Sequence, residues 1–317
     1  MNTTKKIVEM IESQKRFGKV TDTAPLSGGL INQTFLVKTD CGKFVVQQVN
    51  PSAGKQSVID YIRLEDKMRK NFMHIPFVFL VWQDEDDRLW KMTEYIEHSK
   101  SAGLDDATAR NAAKYMAKVH HALESCPLVP NWAIPGFHDS PAILAKLDRL
   151  DSNSKEVTIT ELAKLIASNG KNYSIPDEPR RLIHGDPKLD NFLFDRNRDV
   201  VALIDWETLM IGQPLIDIGD MMRSFCKGDD DAFDARRFRI MSKAYNYVAQ
   251  GGLTEDVYSE NEILSATKLI TLELAARFLI DWFEDSYFGW DSAKFTSRKE
   301  SNLTAARKYF AYFQTMS

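Results

Sequence analysis

The spacing of apolar positions changes along the chain, and the changes divide it. Ile7, Met10, Ile11 and Phe17 recur near helical spacing, which predicts an amphipathic N-terminal helix. Residues 26–96 then read mainly as strands. Leu30 to Val37 and Phe44 to Val49 flank the turn Asp40-Cys41-Gly42-Lys43, a hairpin signature, and Phe77 to Trp82 and Leu89 to Tyr95 flank the acidic turn Asp84 to Asp87. Between the hairpins, Ile59, Ile62 and Met68 among charges predict a helix over Ser57 to Lys70. From about Leu104 the period is helical: Ala109 to Leu123, Pro141 to Leu150 and Thr158 to Ser168 precede an irregular stretch. Asp230 to Ala249, Ser259 to Glu284 and Thr296 to Gln314 follow it, with Gly251-Gly252 separating the first two of these. The expected fold is α+β in two lobes: a small β-rich lobe over residues 1–96 and a larger helical lobe over 97–317.

The irregular stretch carries the chemistry. His184-Gly185-Asp186-Pro187-Lys188-Leu189-Asp190-Asn191 precedes two short apolar runs, Phe192 to Phe194 and Val200 to Ile204, which end at Asp205. A hairpin of those runs delivers Asn191 and Asp205 near each other. An amide and a carboxylate so placed are oxygen donors of the kind Mg²⁺ takes, and a carboxylate directly after an apolar run needs a partner or a metal. Asp186 is then the base that accepts a hydroxyl proton, and Lys188 a mobile charge able to touch the transferring phosphate. On their own, Gly, Asp and Pro also make an ordinary turn; Asn191 and Asp205 decide against that reading. Glu207 is either a further ligand or a helix-start acid.

Weaker signals surround this set. Ser27, Gly28 and Gly29 open the first hairpin, where backbone N–H groups could cover phosphates, though a tight turn explains them as well. Glu94 and Ile96 end the last strand of the small lobe, where the Glu94 carbonyl and Ile96 N–H could pair with adenine. Glu273, Arg277 and Asp281 repeat at i,i+4, as a surface ion ladder or as an arginine held toward a polyhydroxylated substrate.

Composition narrows the class. A formal net charge of -4 provides no basic footprint for nucleic acid or an anionic membrane, and no run approaches a membrane span. Glu9 and Glu12 interrupt any signal-peptide core behind Lys5-Lys6. Three cysteines without a CxxC read as free thiols in a reducing cytosol. The expectation is a cytoplasmic enzyme with ATP and Mg²⁺ as cofactors, a small-molecule hydroxyl substrate, and no nucleic acid, membrane or protein partner.

The chain resembles the aminoglycoside phosphotransferase and choline kinase superfamily through His184 to Asn191 and Ile204-Asp205-Trp206-Glu207. It is similar more narrowly to anomeric sugar kinases of the N-acetylhexosamine 1-kinase type, through Gly29 to Phe35, Val46 to Asn50, Ile134 to Ser140, Asp217 to Arg223 and Arg277 to Tyr287. The resemblance implies a protein-kinase-like fold, Asp186 as base, Asn191 and Asp205 on magnesium, Arg277 and Tyr287 as sugar contacts, and Asp217 bracing the catalytic loop; Asp281, at i,i+4 from Arg277, is placed with them on the substrate side. Two departures stand out. Where protein kinases carry a strand lysine, Val45-Val46-Gln47-Gln48 offers glutamine, with Gln48 the neutral donor to the nucleotide; either Lys43 or Lys188 serves the phosphates instead, or nucleotide binding is weaker. The metal segment reads Asp205-Trp206-Glu207-Thr208, closer to the antibiotic and choline kinases than to the sugar kinases. Aminoglycoside, choline or homoserine-like acceptors therefore stay open, as does a nucleotide-binding regulator without transfer activity.

Overall fold

The computed structural model describes residues 3–26, 33–50, 54–70, 73–99, 104–124, 126–151, 157–252 and 257–316. The N-terminal lobe contains α1 (Thr3–Ser13), β1 (Val20–Pro25), β2 (Thr34–Thr39), β3 (Gly42–Gln48), α2 (Gly54–Lys70), β4 (Val78–Gln83) and β5 (Leu89–Glu94). Its strands form one antiparallel sheet in the order β1-β2-β3-β5-β4. Strand alternation sorts the two faces. Phe44 and Val46 of β3, with Trp90 and Met92 of β5, pack beneath Ile7 and Ile11 of α1. Val45, Gln47, Lys91 and Thr93 therefore occupy the opposite face, toward α2 and the interlobe cleft.

Strand β1 has no counterpart in the sequence reading. As an edge strand it is polar, with Val20 its one apolar strand-former, so its alternation is faint. The second strand spans Thr34–Thr39 rather than Leu30 to Val37, and residues 27–32 lie outside the described set.

The helical lobe comprises α3 (Asp106–Glu124), α4 (Ser140–Asp151), α5 (Val157–Gly170), α6 (Pro214–Phe225), α7 (Ala235–Ala249), α8 (Glu260–Glu284) and α9 (Arg298–Gln314). Two small ladders hold the irregular stretch: β6 (Arg181–Ile183) with β9 (Met210–Gly212), and β7 (Phe192–Phe194) with β8 (Val200–Leu203). Helix α7 starts five residues later than its apolar pattern implies, because Asp234 caps it by accepting from the Arg237 N–H. Helix α8 starts at a Ser259–Glu262 capping box and is buried along most of its length, the central post of the lobe. Gly219 lets α6 cross α8 closely; a Cβ there would sit 2.9 Å from the Ala266 backbone.

The lobes share a core. Tyr61, Leu64 and Met68 of α2 belong to the same buried cluster as Phe192, Leu203 and Trp206. A second tie runs through Asp60, buried on α2, whose carboxylate accepts from the Asn131 and Trp132 N–H groups at 2.7 and 3.1 Å. No helix among the described residues is long and apolar enough to cross a membrane. The three cysteines are free.

Candidate active site

The β7–β8 ladder pairs Phe192 with Leu203, and the Ile204 N–H donates to the Asn191 carbonyl at 2.9 Å. Asn191 and Asp205 are thus brought to the same end of one hairpin, as their spacing implied. Asn191 is buried and its Nδ2 donates to the Asp186 carbonyl at 2.7 Å, which leaves Oδ1 as the atom a cation would take. Asp205 adopts a left-handed backbone conformation (φ 67°, ψ 53°) that Asp tolerates better than most residues, and its side chain lines the cleft. The described residues hold no cluster of three His, Cys, Asp or Glu suited to a metal. Two oxygen donors suit Mg²⁺, which completes its shell with phosphate and water rather than with a protein cage.

Asp186 stands beside them in the cleft. Its N–H donates to His184 Nδ1 (3.2 Å), and its carboxylate is bonded to the Lys188 ammonium. Burial pushes the Asp186 carboxyl up, to about 6, against the pull of Lys188. Lys188 keeps its proton, because the attraction of Asp186 and Asp205 outweighs its own burial. Behind the loop, Asp217 of α6 is wholly buried and accepts from the His184 and Gly185 N–H groups at 2.8 and 2.7 Å. Burial would raise Asp217, but His120 and Gly185 more than offset it and hold the carboxyl below its ordinary range. Gly185 cannot be replaced cheaply: its φ is +87°, and a Cβ would meet the Thr208 carbonyl at 2.4 Å.

His184 is neutral by construction. Its Nε2–H donates to the Ile204 carbonyl at 3.0 Å while Nδ1 accepts from Asp186, and burial lowers its pKa. It locks the base-bearing loop to the strand that ends at Asp205.

The cleft is a cavity of about 350 Å³, walled by Thr34 and Gln47 from the sheet and by Asp186, Asp205, Arg277 and Tyr287 from the helical lobe. Gln47, not Gln48, faces it. Gln48 is one residue out of phase, on the α1 side of the sheet, so the sequence reading chose the wrong member of the pair. Lys43 is engaged at the far end, 2.6 Å from Glu97 and 5.4 Å over the Tyr95 ring. The Glu94 side chain contacts His74 (3.0 Å), while the Ile96 carbonyl accepts from His98 Nδ1–H (2.8 Å). Ser27, Gly28 and Gly29 lie outside the described residues.

The α8 segment corrects the i,i+4 reading. Arg277 points into the cleft, 4.6 Å over Phe137 and 5.6 Å over Tyr287, and has no carboxylate within 4 Å among the described residues. Asp281 does not reach the cavity. Its buried carboxylate accepts from the Ser286, Tyr287 and Phe288 N–H groups at 2.7 to 2.9 Å and from Asn302, so it shapes the loop that presents Tyr287. Glu273 is no surface residue either; it is buried against Ser140 and His138.

His138 and Asp220 are functional candidates that sequence spacing gave no role. His138 Nε2–H donates to the Gly185 carbonyl at 2.7 Å, and Nδ1 lies 3.0 Å from Glu273 Oε1, an ion-pair contact poorly aligned for a hydrogen bond. Burial alone would lower the His138 pKa; Glu273 and the Gly185 carbonyl outweigh it and raise it. A histidine raised on folding stabilises fully below its unfolded pKa, and the contribution fades as pH climbs through the folded value. The melting-temperature gap between wild type and His138→Gln should therefore be wider near about pH 6 than near about pH 9. Thermal melts across that range check it; a gap that widens with pH would contradict the assignment. Asp220 lines the cleft with Oδ1 bonded to Arg223 (2.9 and 2.6 Å) and a buried Oδ2 that has no hydrogen-bond partner among the described residues.

A family model described as "Phosphotransferase enzyme family" matches residues 22–248. The chain belongs to that family. A homoserine kinase of Pseudomonas aeruginosa is 23% identical over 235 residues, covering 72% of each chain. Among solved structures, the GDP and kanamycin complex of APH(2")-IIIa matches with a TM-score of 0.69 at 16% identity, covering 96% of this chain and 98% of that one. The choline kinase LicA from Streptococcus pneumoniae matches with a TM-score of 0.63 at 17% identity, over 97% and 98%. These likenesses make the fold protein-kinase-like, with a five-stranded antiparallel N-lobe and a helical C-lobe.

Proposed function

We propose that this protein is an ATP- and Mg²⁺-dependent kinase of small-molecule hydroxyls, with a sugar or amino sugar as acceptor. The observation that carries the reading is the convergence of Asp186, Asn191 and Asp205 around one interlobe cleft, with the base-bearing loop fixed from behind by Asp217. Asn191 Oδ1 and Asp205 would hold Mg²⁺, which when bound neutralises charge on the transferring phosphates. Asp186 orients the acceptor hydroxyl and takes its proton, and Lys188 offers a positive charge beside it. The lobes' shared core and the Asp60 tie favour a closed cleft that limits water.

The acceptor end asks for both polarities. Arg277 offers donors above three aromatic rings, and Asp220 Oδ2 offers a buried acceptor oxygen. A polyhydroxylated ring satisfies both without carrying charge, whereas a cationic acceptor such as choline would meet the Arg277 guanidinium. The same two groups also suit a small zwitterionic alcohol, and the homoserine kinase relative gives that second reading weight. An ADP-release assay over N-acetylhexosamines, homoserine, choline and kanamycin separates them. Turnover of a hexosamine is expected; turnover of homoserine alone would replace the sugar reading. Arg277→Gln should raise the acceptor KM by roughly 10-fold or more, the scale of a lost charge-assisted hydrogen bond, with KM for ATP little changed.

A further inference from the structure

The glutamine at the strand-lysine position leaves a question that the cleft itself answers. In the β3–β5 ladder Gln47 pairs directly with Lys91, and directly opposed residues share a face. Lys91 is therefore a cation on the cleft-facing side of the sheet, one strand over from the glutamine; Lys43 and Lys38 share that face farther along their strands. It is 3% exposed, with Nζ 2.7 Å from Glu207 Oε1 and 5.0 Å from the Tyr61 ring centre. Glu207 lies two residues beyond Asp205 and, like Gln47, lines the cleft. Of the other described cations, Lys38 pairs with Asp22, Lys43 with Glu97 and Arg223 with Asp220, while Lys188 is bonded to Asp186 on the acceptor side of the cleft.

We propose that Lys91 and Glu207 form a positioning pair that replaces the strand-3 lysine, fastening the N-lobe sheet to the Asp205 loop and placing a buried positive charge behind the phosphate site. This rests on the kinase reading above. The pair joins residues 116 apart in sequence and connects the two parts that must hold one nucleotide: the sheet covering it and the loop carrying its metal ligand. Glu207 thereby takes the part of a lysine-orienting acid, and Tyr61 of α2 closes over the ammonium where a helix carboxylate could otherwise stand.

A purely structural ion pair makes a different prediction, and a double variant exposes it. Removing one member of a buried pair strands the other charge and destabilises strongly, whereas neutralising both together restores much of the stability. Lys91→Met should lower both the melting temperature and kcat/KM for ATP. In Lys91→Met with Glu207→Gln the melting temperature should return toward wild type. Its kcat/KM for ATP should stay at least roughly 30-fold down and its Kd for Mg-ATP, measured by calorimetry, at least roughly 10-fold up, with acceptor KM within about twofold. Lys91→Arg, which keeps the charge, should recover part of the loss. Recovery of stability, ATP affinity and rate together in the double variant would overturn the proposal. If the single variant does not fold, the double and the arginine variants carry the same comparison. A wild-type protein that binds Mg-ATP but phosphorylates no acceptor would count against the kinase reading; the calorimetric arm would still decide the role of Lys91.

Discussion

Asp186→Asn is expected to lower kcat by roughly two to four orders of magnitude, the span usual for a positioned proton acceptor, with ATP and acceptor KM changed much less. In the proposed mechanism the carboxylate receives the incoming hydroxyl, and the amide that replaces it has the same shape but cannot take a proton. The loop should not collapse. Its backbone is held by His184, Asn191 and Asp217 rather than by the Asp186 side chain, which is bonded to Lys188 and is partly exposed to the cleft. Steady-state kinetics with a hexosamine acceptor, alongside a thermal melt, check both halves. The loose transition state of phosphoryl transfer asks for little basicity, so most of the loss would come from misplacing the hydroxyl. A variant that keeps the wild-type rate would remove Asp186 from the mechanism.

Some of this site was legible in the sequence for a simple reason: its central residues are close in the chain. Asp186, Asn191 and Asp205 lie within twenty positions, and two short apolar runs around a turn bring the ends together under almost any hairpin register. Gln48 and Lys91 show where such reading stops. Which glutamine faces the cleft depends on the phase of one strand, and Lys91 becomes relevant only through the pairing of β3 with β5, which no local pattern states. Asp281 illustrates a different limit. Its i,i+4 spacing to Arg277 fits an exposed ladder, and only the tertiary path of Ser286 to Phe288 shows that three N–H groups claim its oxygens. His138, in the turn before α4, and Glu273 of α8 lie 135 positions apart and meet beneath the Asp186 loop. The helices were easier, because α3, α8 and α9 bury long faces and their period survives local exceptions; β1 was missed because an edge strand can fold with few apolar residues.

Asp217→Ala should be the most destabilising change in the site, about 3–5 kcal/mol by analogy with the loss of one partner from a buried charged network. Asp217 is fully buried, and its two oxygens accept from the His184 N–H, the Gly185 N–H and His120 Nε2–H, the last at 3.1 Å. His120 in turn takes the Tyr245 hydroxyl on Nδ1 at 2.7 Å, so the network reaches α7. Alanine leaves three donors facing an apolar hole, and each unmet donor costs about 1–3 kcal/mol. Against a typical margin of about 5–15 kcal/mol, that removes a large share of the folded state's stability. Asp217→Asn should lose less, since one amide oxygen still accepts, but its NH₂ must face a backbone donor. Urea unfolding of the two variants ranks them. Activity adds the functional half: the Asn variant should stay folded yet turn over more slowly, because the Gly185 peptide that aims Asp186 has lost part of its anchor. Equal midpoints for wild type and Asp217→Ala would mean that the catalytic loop is held by something other than this carboxylate.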